Sequence, residues 1–334
     1  MIDVKKQYHA LVTEKIDGHF VNRIKQLQLN SLPENEVLIR VQYSSLNYKD
    51  ALSASGQPGI TKNYPHTPGI DAAGIVVSSQ NPQFYEGDEV IVTSYDLGMN
   101  TPGGFAEYIR VPAEWIVPLP QGLTLRESMI YGTAGLTAAI GVKKITESDI
   151  KPADGDLLVT GATGGVGSCA VLLLSHLKYK VTAVTGKKKK HDYLEKLGAT
   201  AIIDRDEVRD ESEKPLLGSR WIASVETVGG EILDTVIRQT AHNGVVTCCG
   251  NILGHELHTS VYPFILRGVS LMGIDSGICL MSLRKKIWTL LANEWKPSGL
   301  EMLAREIPLH RLPKEIDKML EGKQSGRVIV NLKL

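Results

Sequence analysis

The chain has 334 residues, 43% of them hydrophobic, and its 37 basic side chains balance 37 acidic ones. This length suits two domains, and balanced charge argues against a general attraction for nucleic acid or anionic membranes. No apolar signal core opens the sequence, and no apolar stretch approaches the ~20 residues of a membrane span. Four cysteines without a C-x-x-C pair are typical of a reduced, cytoplasmic protein.

Short β segments joined by glycine and proline turns fill the first 125 residues. The predicted strands are 9–15, 36–44, 72–78, 89–93, 105–111 and 115–118. A helical pattern follows from about 124 to 142. The sequence therefore predicts a β-rich first domain.

Strands and helices alternate from residue 156 onwards. Strands are predicted at 156–160, 181–185, 201–204, 221–225, 245–250 and 269–273, with helices at 166–177, 191–197 and 231–239. Such alternation predicts a doubly wound parallel sheet of six strands. An amphipathic helix at 281–294 precedes a closing strand at 326–332, which has no partner helix and is expected to return to the first domain. The predicted domains are 126–277, and 1–125 together with 278–334.

A glycine-rich turn joins the first strand and helix of this alternating region. It reads Ala162-Thr163-Gly164-Gly165-Val166-Gly167, an A-x-G-x-x-G pattern with alanine in the first glycine position. Such a turn lets the backbone approach a pyrophosphate, which the N–H groups and dipole of the helix N-terminus stabilise. The strand, helix and second strand all lie where the motif requires them, so we predict a dinucleotide site.

The end of the second strand predicts which dinucleotide is bound. An NAD site usually places an acid there for the ribose 2′-hydroxyl, whereas this chain has Thr185-Gly186-Lys187-Lys188 followed by two more lysines. Ammonium groups suit a 2′-phosphate, so NADPH is favoured over NADH. The alternative is a solvated charge run at a helix start, although positive charge opposes the dipole there.

Several motifs resemble the medium-chain dehydrogenase/reductase superfamily. They are Y-P-H-T-P-G at 64–69, F-Y-E-G-D-E-V at 84–90, G-G-F-A-E-Y at 103–108 and G-T-A-G-L-T-A at 132–138. The segments S-L-N-Y-K-D at 45–50 and G-R-V-I-V at 326–330 are similar to those of YhdH/YhfP-type quinone oxidoreductases, whose relatives include acrylyl-CoA reductases. The resemblance implies a GroES-like β-rich catalytic domain, a Rossmann domain, and a homodimer formed through the nucleotide domain.

The departures from this superfamily concern zinc. At the position that corresponds by resemblance to Asn47, zinc alcohol dehydrogenases carry Cys. At the positions of Gly69-Ile70-Asp71 they carry Gly-His-Glu. No cluster of cysteines lies around residues 90–115, and His255 and His258 are interpreted as surface residues of a loop. Because zinc requires several converging thiolate, imidazole or carboxylate ligands, we predict that the chain binds no zinc.

Without a Lewis acid, hydride delivery to an electron-poor carbon is the favoured chemistry. Quinones, enones and α,β-unsaturated thioesters are suitable small-molecule substrates. The predicted catalytic residues are Asn47, as an amide donor; Tyr48, as a hydrogen-bond or proton donor; Asp50, as an orienting group ionised at pH 7; and Tyr64, with less support. An alternative for Asn47 is to cap a short helix.

Further cofactor contacts are expected outside the glycine-rich turn. Gly250, Asn251 and Asp275 follow the last two strands, where ligands of such sheets bind. Arg327 is expected to reach the cofactor phosphates, with a surface salt bridge as the alternative. Thr133, Thr137 and Arg205 complete the predicted cofactor-binding set.

Three functions remain open on the sequence alone. The leading one is an NADPH-dependent reductase of quinones or conjugated carbonyls, with acrylyl-CoA among the candidate substrates. The second is reduction of longer enoyl-thioesters, which pocket volume would separate from the first. The third is a non-catalytic NADPH-binding protein with a structural or sensing role.

Overall fold

The computed structural model describes residues 5–212 and 214–334. The strands within them are β1 Gln7–Ile16, β2 His19–Gln28, β3 Val37–Ser45, β4 Asp71–Ser79, β5 Glu89–Thr93, β6 Tyr108–Val111, β7 Ile116–Pro118, β8 Leu157–Val159, β9 Val181–Val184, β10 Ala201–Ile203, β11 Trp221–Glu226, β12 Thr240–Cys248, β13 Ser270–Gly273, β14 Ala304–Pro308 and β15 Arg327–Asn331. The helices are α1 Tyr48–Ala54, α2 Leu125–Glu147, α3 Gly165–His176, α4 His191–Lys196, α5 Gly230–Gln239, α6 Tyr262–Arg267, α7 Met281–Ala292 and α8 Leu312–Leu320.

These elements form two compact units. The first runs to Thr133 and takes in Gly277–Ala292 and Ala304–Leu334, and the second comprises Ala134–Ser276 and Asn293–Leu303. The prediction placed the divisions at 125/126 and 277/278 and kept the whole tail in the first domain. The segment 293–303 instead belongs to the second unit. There His176 on α3 contacts the Glu294 carbonyl at 3.0 Å, and Leu300 is buried.

The first unit contains a seven-stranded sheet. Its strand order is β14-β15-β3-β4-β5-β7, and β6 also pairs with β3. Strand β15 runs antiparallel to β3, with Ile329 opposite Ser45. This pairing confirms that the closing strand returns to the N-terminal β region.

A hairpin of β1 and β2 forms a separate two-stranded sheet. The sequence analysis missed β2, in which polar residues interrupt strict alternation. Its turn was nevertheless recognisable: Asp17 and Gly18 have φ values of 49° and 83°, as a two-residue hairpin turn requires. Aspartate-glycine between two strand-like runs indicates such a hairpin.

The second unit contains the predicted parallel sheet of six strands. Its order is β10-β9-β8-β11-β12-β13. Helices α3, α4, α5 and α6 join consecutive strands, except between β10 and β11, where the described residues contain only a short 3-10 turn at Arg205–Glu207. This order reverses direction between β8 and β11, the place where doubly wound sheets bind ligands beyond their carboxyl edge. The sequence analysis missed α6, α8 and β14.

Candidate active site

The glycine-rich turn lies between β8 and α3, at the carboxyl edge of the parallel sheet. Gly161 has a φ of 56°, and a Cβ there would overlap the Thr227 hydroxyl. A Cβ on Gly167, in the first turn of α3, would overlap the Gly161 carbonyl. The left-handed turn residue is thus Gly161, one position before Ala162. The first N–H groups of a helix have no partner within it, and the start of α3 therefore fits the predicted pyrophosphate contact.

A buried carboxylate that the sequence analysis missed stabilises this turn. Glu226, the last residue of β11, accepts hydrogen bonds from the Thr160 hydroxyl at 3.0 Å and from the Val228 and Gly229 N–H groups at 2.9 and 3.0 Å. Burial raises the pKa of Glu226. The sequence signal for this role was an acidic residue at the end of an otherwise largely apolar strand. A carboxyl buried at such a place needs hydrogen-bond donors around it.

Several cations follow β9 and β10, the two strands on one side of β8 in the parallel sheet. The Thr185 hydroxyl accepts the Lys187 N–H at 3.1 Å, and a Cβ on Gly186 would lie 2.9 Å from Nε of Arg205. Burial, with a smaller contribution from Lys190, lowers the pKa of Lys187. Charges that repel each other in this way are stabilised by an anion. Lys187, Arg205 and the exposed Lys188 therefore fit a 2′-phosphate.

Of the other predicted cofactor residues in the second unit, Thr163, Gly250, Asn251 and Asp275 follow strands of the parallel sheet, whereas Thr137 lies within α2. The Thr163 hydroxyl lies 3.4 Å from that of Thr185, and the Thr137 hydroxyl lies 2.6 Å from that of Ser276. Gly250 packs so closely on the Thr227 backbone that a Cβ has no room. Asn251 and Asp275 are exposed.

A second polar group, the Asp71 cluster, is buried in the first unit and consists of Ser45, Asn47, Asp71, Thr133 and Arg327. Ser45 Oγ and Asn47 Nδ2 donate to Asp71 Oδ2 at 2.6 and 2.7 Å. Thr133 donates to Oδ1 through its hydroxyl at 2.6 Å, and its N–H lies 3.0 Å from both carboxylate oxygens. Arg327 Nη2 is 3.6 Å from Oδ2.

The fold itself brings the Asp71 cluster together. Ser45 ends β3, Asp71 begins β4 and Arg327 begins β15, and both pairs of neighbouring strands are antiparallel. Gly132 breaks α2 with a φ of 51°, and a Cβ there would lie 2.7 Å from Arg327 Nη2. The kink directs the Thr133 N–H at the carboxylate.

Asn47 uses both ends of its amide inside the cluster. Its Nδ2 donates to Asp71 as above, and its Oδ1 accepts from Arg327 Nη1 at 3.1 Å. The residue stands at the N-cap of α1, and its backbone N–H donates to Asp50 Oδ2 at 2.8 Å. These contacts favour the capping and positioning interpretation, whereas contact with substrate stays a prediction.

Asp50 is not the ordinary carboxyl that the sequence suggested. It is fully buried, and burial together with the charge of Asp71 raises its pKa to about 7. Its Oδ1 accepts the Ile70 N–H at 2.8 Å, and Oδ2 accepts from Asn47. Because backbone N–H groups donate to both carboxyl oxygens, Asp50 fixes the positions of Ile70 and Asn47, and an orienting role fits the geometry.

The two predicted tyrosines differ in exposure. Tyr64 donates its hydroxyl to the Ser53 carbonyl at 2.7 Å, and burial raises its pKa. Tyr48, the first residue of α1, is 44% exposed. Tyr48 is thus the better placed of the two to meet a substrate.

Arg327 does not match its predicted contact with cofactor phosphates. It is 2% exposed, its Nε donates to the Ile130 carbonyl at 3.1 Å, and Nη1 donates to the Leu46 carbonyl at 3.2 Å. Nη2 donates to Ser45 Oγ at 2.8 Å. Every nitrogen of the guanidinium is therefore engaged inside the first unit, and Arg327 stabilises Asp71.

Residues 5–212 and 214–334 contain no group of three or more histidine, cysteine, aspartate or glutamate side chains placed to hold a metal ion. No helix in these ranges combines the length and apolarity needed to cross a membrane.

Comparison with known proteins gives the family. Residues 33–121 match the alcohol dehydrogenase GroES-like domain, and residues 165–292 match the zinc-binding dehydrogenase family. YhfP of Bacillus subtilis (strain 168), which is assigned to the quinone oxidoreductases, is 44% identical over 97% of this chain and 99% of its own. The acrylyl-CoA reductase AcuI of Ruegeria pomeroyi is 40% identical over 97% of this chain and 99% of its own.

Solved structures agree with this relationship. The yhdH oxidoreductase of Salmonella enterica in complex with NADP has a TM-score of 0.94 at 41% identity, covering 98% of this chain and 99% of its own. YhfP with NAD bound has a TM-score of 0.95, covering 98% of this chain and 99% of its own. The chain belongs to the medium-chain dehydrogenase/reductase superfamily, among the YhfP, YhdH and AcuI oxidoreductases.

Proposed function

We propose that the chain is a zinc-independent, NADPH-dependent reductase of quinones or α,β-unsaturated carbonyl compounds, including short enoyl-CoA thioesters such as acrylyl-CoA. The observation that carries the cofactor assignment is the glycine-rich turn together with two nearby cations, Lys187 after β9 and Arg205 after β10. Bound NADPH supplies the hydride. The relatives differ here, since yhdH is complexed with NADP and YhfP with NAD. The cations of this chain favour NADPH.

The substrate class rests on the named relatives. A quinone oxidoreductase assignment at 44% identity and an acrylyl-CoA reductase at 40% both span nearly the whole chain. Their acceptors share a conjugated carbonyl, and hydride arriving at the far end of the conjugation places negative charge on oxygen. A hydrogen-bond donor near that oxygen stabilises the developing charge.

Tyr48 is our candidate for that donor. It is the exposed member of the predicted catalytic set, and it directly follows Asn47, whose amide is fixed by Asp71 and Arg327. Asp50 accepts the Asn47 N–H and so orients the start of α1. In this proposal Tyr48 contacts the substrate, and Asn47 and Asp50 position it.

The Asp71 cluster supports chemistry without zinc. Asn47 stands at the position where the similar zinc alcohol dehydrogenases carry Cys, and Ile70 at the position where they carry His. Neither side chain is an imidazole, thiolate or carboxylate, which are the ligands zinc prefers. The Asn47 amide instead bonds Asp71 and Arg327.

The first experiment follows NADPH oxidation with acrylyl-CoA, a longer enoyl-CoA and a simple quinone, with NADH as the cofactor control. We expect turnover of at least one acceptor, and faster turnover of acrylyl-CoA than of quinone assigns the thioester as substrate. Faster turnover of the longer enoyl-CoA supports the alternative function, reduction of longer enoyl-thioesters. NADPH binding with no turnover of any acceptor would replace the enzyme assignment by the sensing or structural role.

Tyr48→Phe tests the proposed donor. We expect kcat to fall by about 10²-fold or more, the contribution typical of a proton or hydrogen-bond donor, with the Kd for NADPH unchanged. Tyr85→Phe is the matched control, because Tyr85 is also exposed on the first unit. Asn47→Ala is expected to lower kcat through misplacement of α1. Unchanged turnover in Tyr48→Phe refutes its role.

We also propose a cytoplasmic homodimer formed through the second unit, with a small-molecule substrate and no nucleic-acid or membrane partner. Strand β13 lies at an end of the parallel sheet, and apolar Val261, Ile265 and Leu266 nearby in sequence are exposed. Exposed apolar groups of this kind are typical of interfaces. Light scattering after gel filtration tests this: a dimer that Ile265→Asp converts to monomer supports it, and a monomeric wild type refutes it.

A further inference from the structure

A cavity of about 390 Å³ lies in the first unit, away from the residues described above. Its lining includes three cations, Lys6, Arg40 and Lys333, and one carboxylate, Glu107. Small-molecule sites typically measure roughly 300–1,000 Å³. The cavity is thus large enough for a phosphorylated metabolite.

Strand pairing explains why cations from distant parts of the sequence meet here. Arg40 on β3 pairs with Tyr108 on β6, and the Tyr108 hydroxyl accepts a hydrogen bond from Lys6 Nζ at 2.7 Å. Further along β3, the Gln42 carbonyl accepts the N–H of the residue before Lys333 at 3.0 Å. The register of the sheet therefore holds all three cations beside one strand.

The positive charge of this cavity exceeds its negative charge. The Glu107 carboxylate accepts the His9 N–H at 2.8 Å and lies 3.4 Å from the His9 ring. The Lys333 ammonium lies 4.4 Å from the centre of the Tyr43 ring. Among the described residues Arg40 forms no ion pair. Lys333 already faces one carboxyl, because, against the effect of burial, it contributes with Arg126 and Asn331 to lowering the pKa of Glu306. An anionic ligand would supply a counter-charge for Arg40.

We propose that this cavity binds a small organic phosphate whose dianionic group contacts Arg40 and Lys333. A planar guanidinium matches phosphate oxygens in pairs, and ammonium groups add point charges. The cavity is larger than a phosphate group alone and leaves room for the organic part. This proposal stands apart from the proposed function.

Calorimetry with pyrophosphate as the probe tests the site, in the presence of saturating NADP⁺ to fill the glycine-rich turn. The variants Arg40→Ala and Lys333→Ala each remove an exposed side chain, and Lys314→Ala on α8 is the matched surface control. We expect one site in the wild type, weakened by about fivefold or more in each cavity variant and unchanged in the control. Absence of binding at millimolar pyrophosphate, or equal affinity in all variants, overturns the proposal.

Two further probes identify the source of the phosphate. Adenosine 3′,5′-bisphosphate represents the phosphate-bearing end of coenzyme A, and glucose 6-phosphate represents free phosphorylated metabolites. Binding of the bisphosphate that Arg40→Ala weakens assigns the site to a coenzyme A ligand. Binding of the sugar phosphate with the same sensitivity assigns it to a free metabolite. Failure of both probes overturns the proposal of an organic phosphate.

Discussion

Replacing Lys187 and Lys188 together by alanine is the sharpest test of cofactor choice. Lys187 is half-buried beside Gly186, where burial lowers its pKa, whereas Lys188 is exposed. A hydrogen bond to a charged group contributes about 1.5–3 kcal/mol, and an exposed ion pair contributes about 0.5 kcal/mol. Together they predict a loss of about 2 kcal/mol in NADPH affinity, or roughly 30-fold, since about 1.4 kcal/mol is tenfold.

NADH provides the internal control for this prediction, because it lacks the 2′-phosphate. Fluorescence titration should show an unchanged Kd for NADH in the double variant, and steady-state KM values should follow the same pattern. Lys196→Ala, an exposed lysine on the neighbouring helix α4, should leave both cofactors unaffected. Equal loss of NADPH and NADH affinity in the double variant would refute the assignment of these lysines to a 2′-phosphate.

Three further substitutions test the structure around both sites. Gly167→Ala forces a Cβ against the Gly161 carbonyl; we expect a lower Tm and at least tenfold weaker NADPH binding by titration, and wild-type affinity would contradict the pyrophosphate contact at the start of α3. Folding raises the pKa of Asp50 from 3.8 to about 7, so between these pH values the folded chain binds one more proton than the unfolded chain. The free energy of unfolding of the wild type in urea should therefore fall as pH rises from about 4 to about 7. Asp50→Asn has no titrating carboxyl at this position and should not show that decrease. Arg327→Met leaves Asp71 without its cation and should cost about 3–5 kcal/mol in urea unfolding, with the NADPH Kd unchanged; weaker NADPH binding without destabilisation would restore the phosphate role.

The parallel sheet was predictable because its signals are local. Each strand is a short apolar run, each following helix has its own periodicity, and the glycine-rich turn lies between the first pair. Even so, the sequence analysis placed the first position of the glycine motif at Ala162, one residue after the glycine that makes the turn. Gly161 carries the positive φ. The side chains that leave no room for a Cβ there, Thr227 and Val228, follow β11 more than 60 residues later in the sequence.

The Asp71 cluster was not predictable from local pattern. Its members lie on three strands, at the N-cap of α1 and on the kinked helix α2, so their hydrogen bonds depend on strand register and on the φ of Gly132. The sequence analysis expected Arg327 to reach the cofactor phosphates or to form a surface salt bridge. Burial of its guanidinium becomes visible only when β15 is paired with β3.

The charges inside the first unit connect this cluster with Asp50. Asp71 lies against one cation, Arg327, while Asp50 receives hydrogen bonds from backbone and amide groups. Burial of Asp50, followed by the negative charge of Asp71, raises the pKa of Asp50 to about 7. Asp50 and Asp71 therefore differ in their surroundings: Asp71 faces a guanidinium, whereas Asp50 is buried among backbone and amide donors.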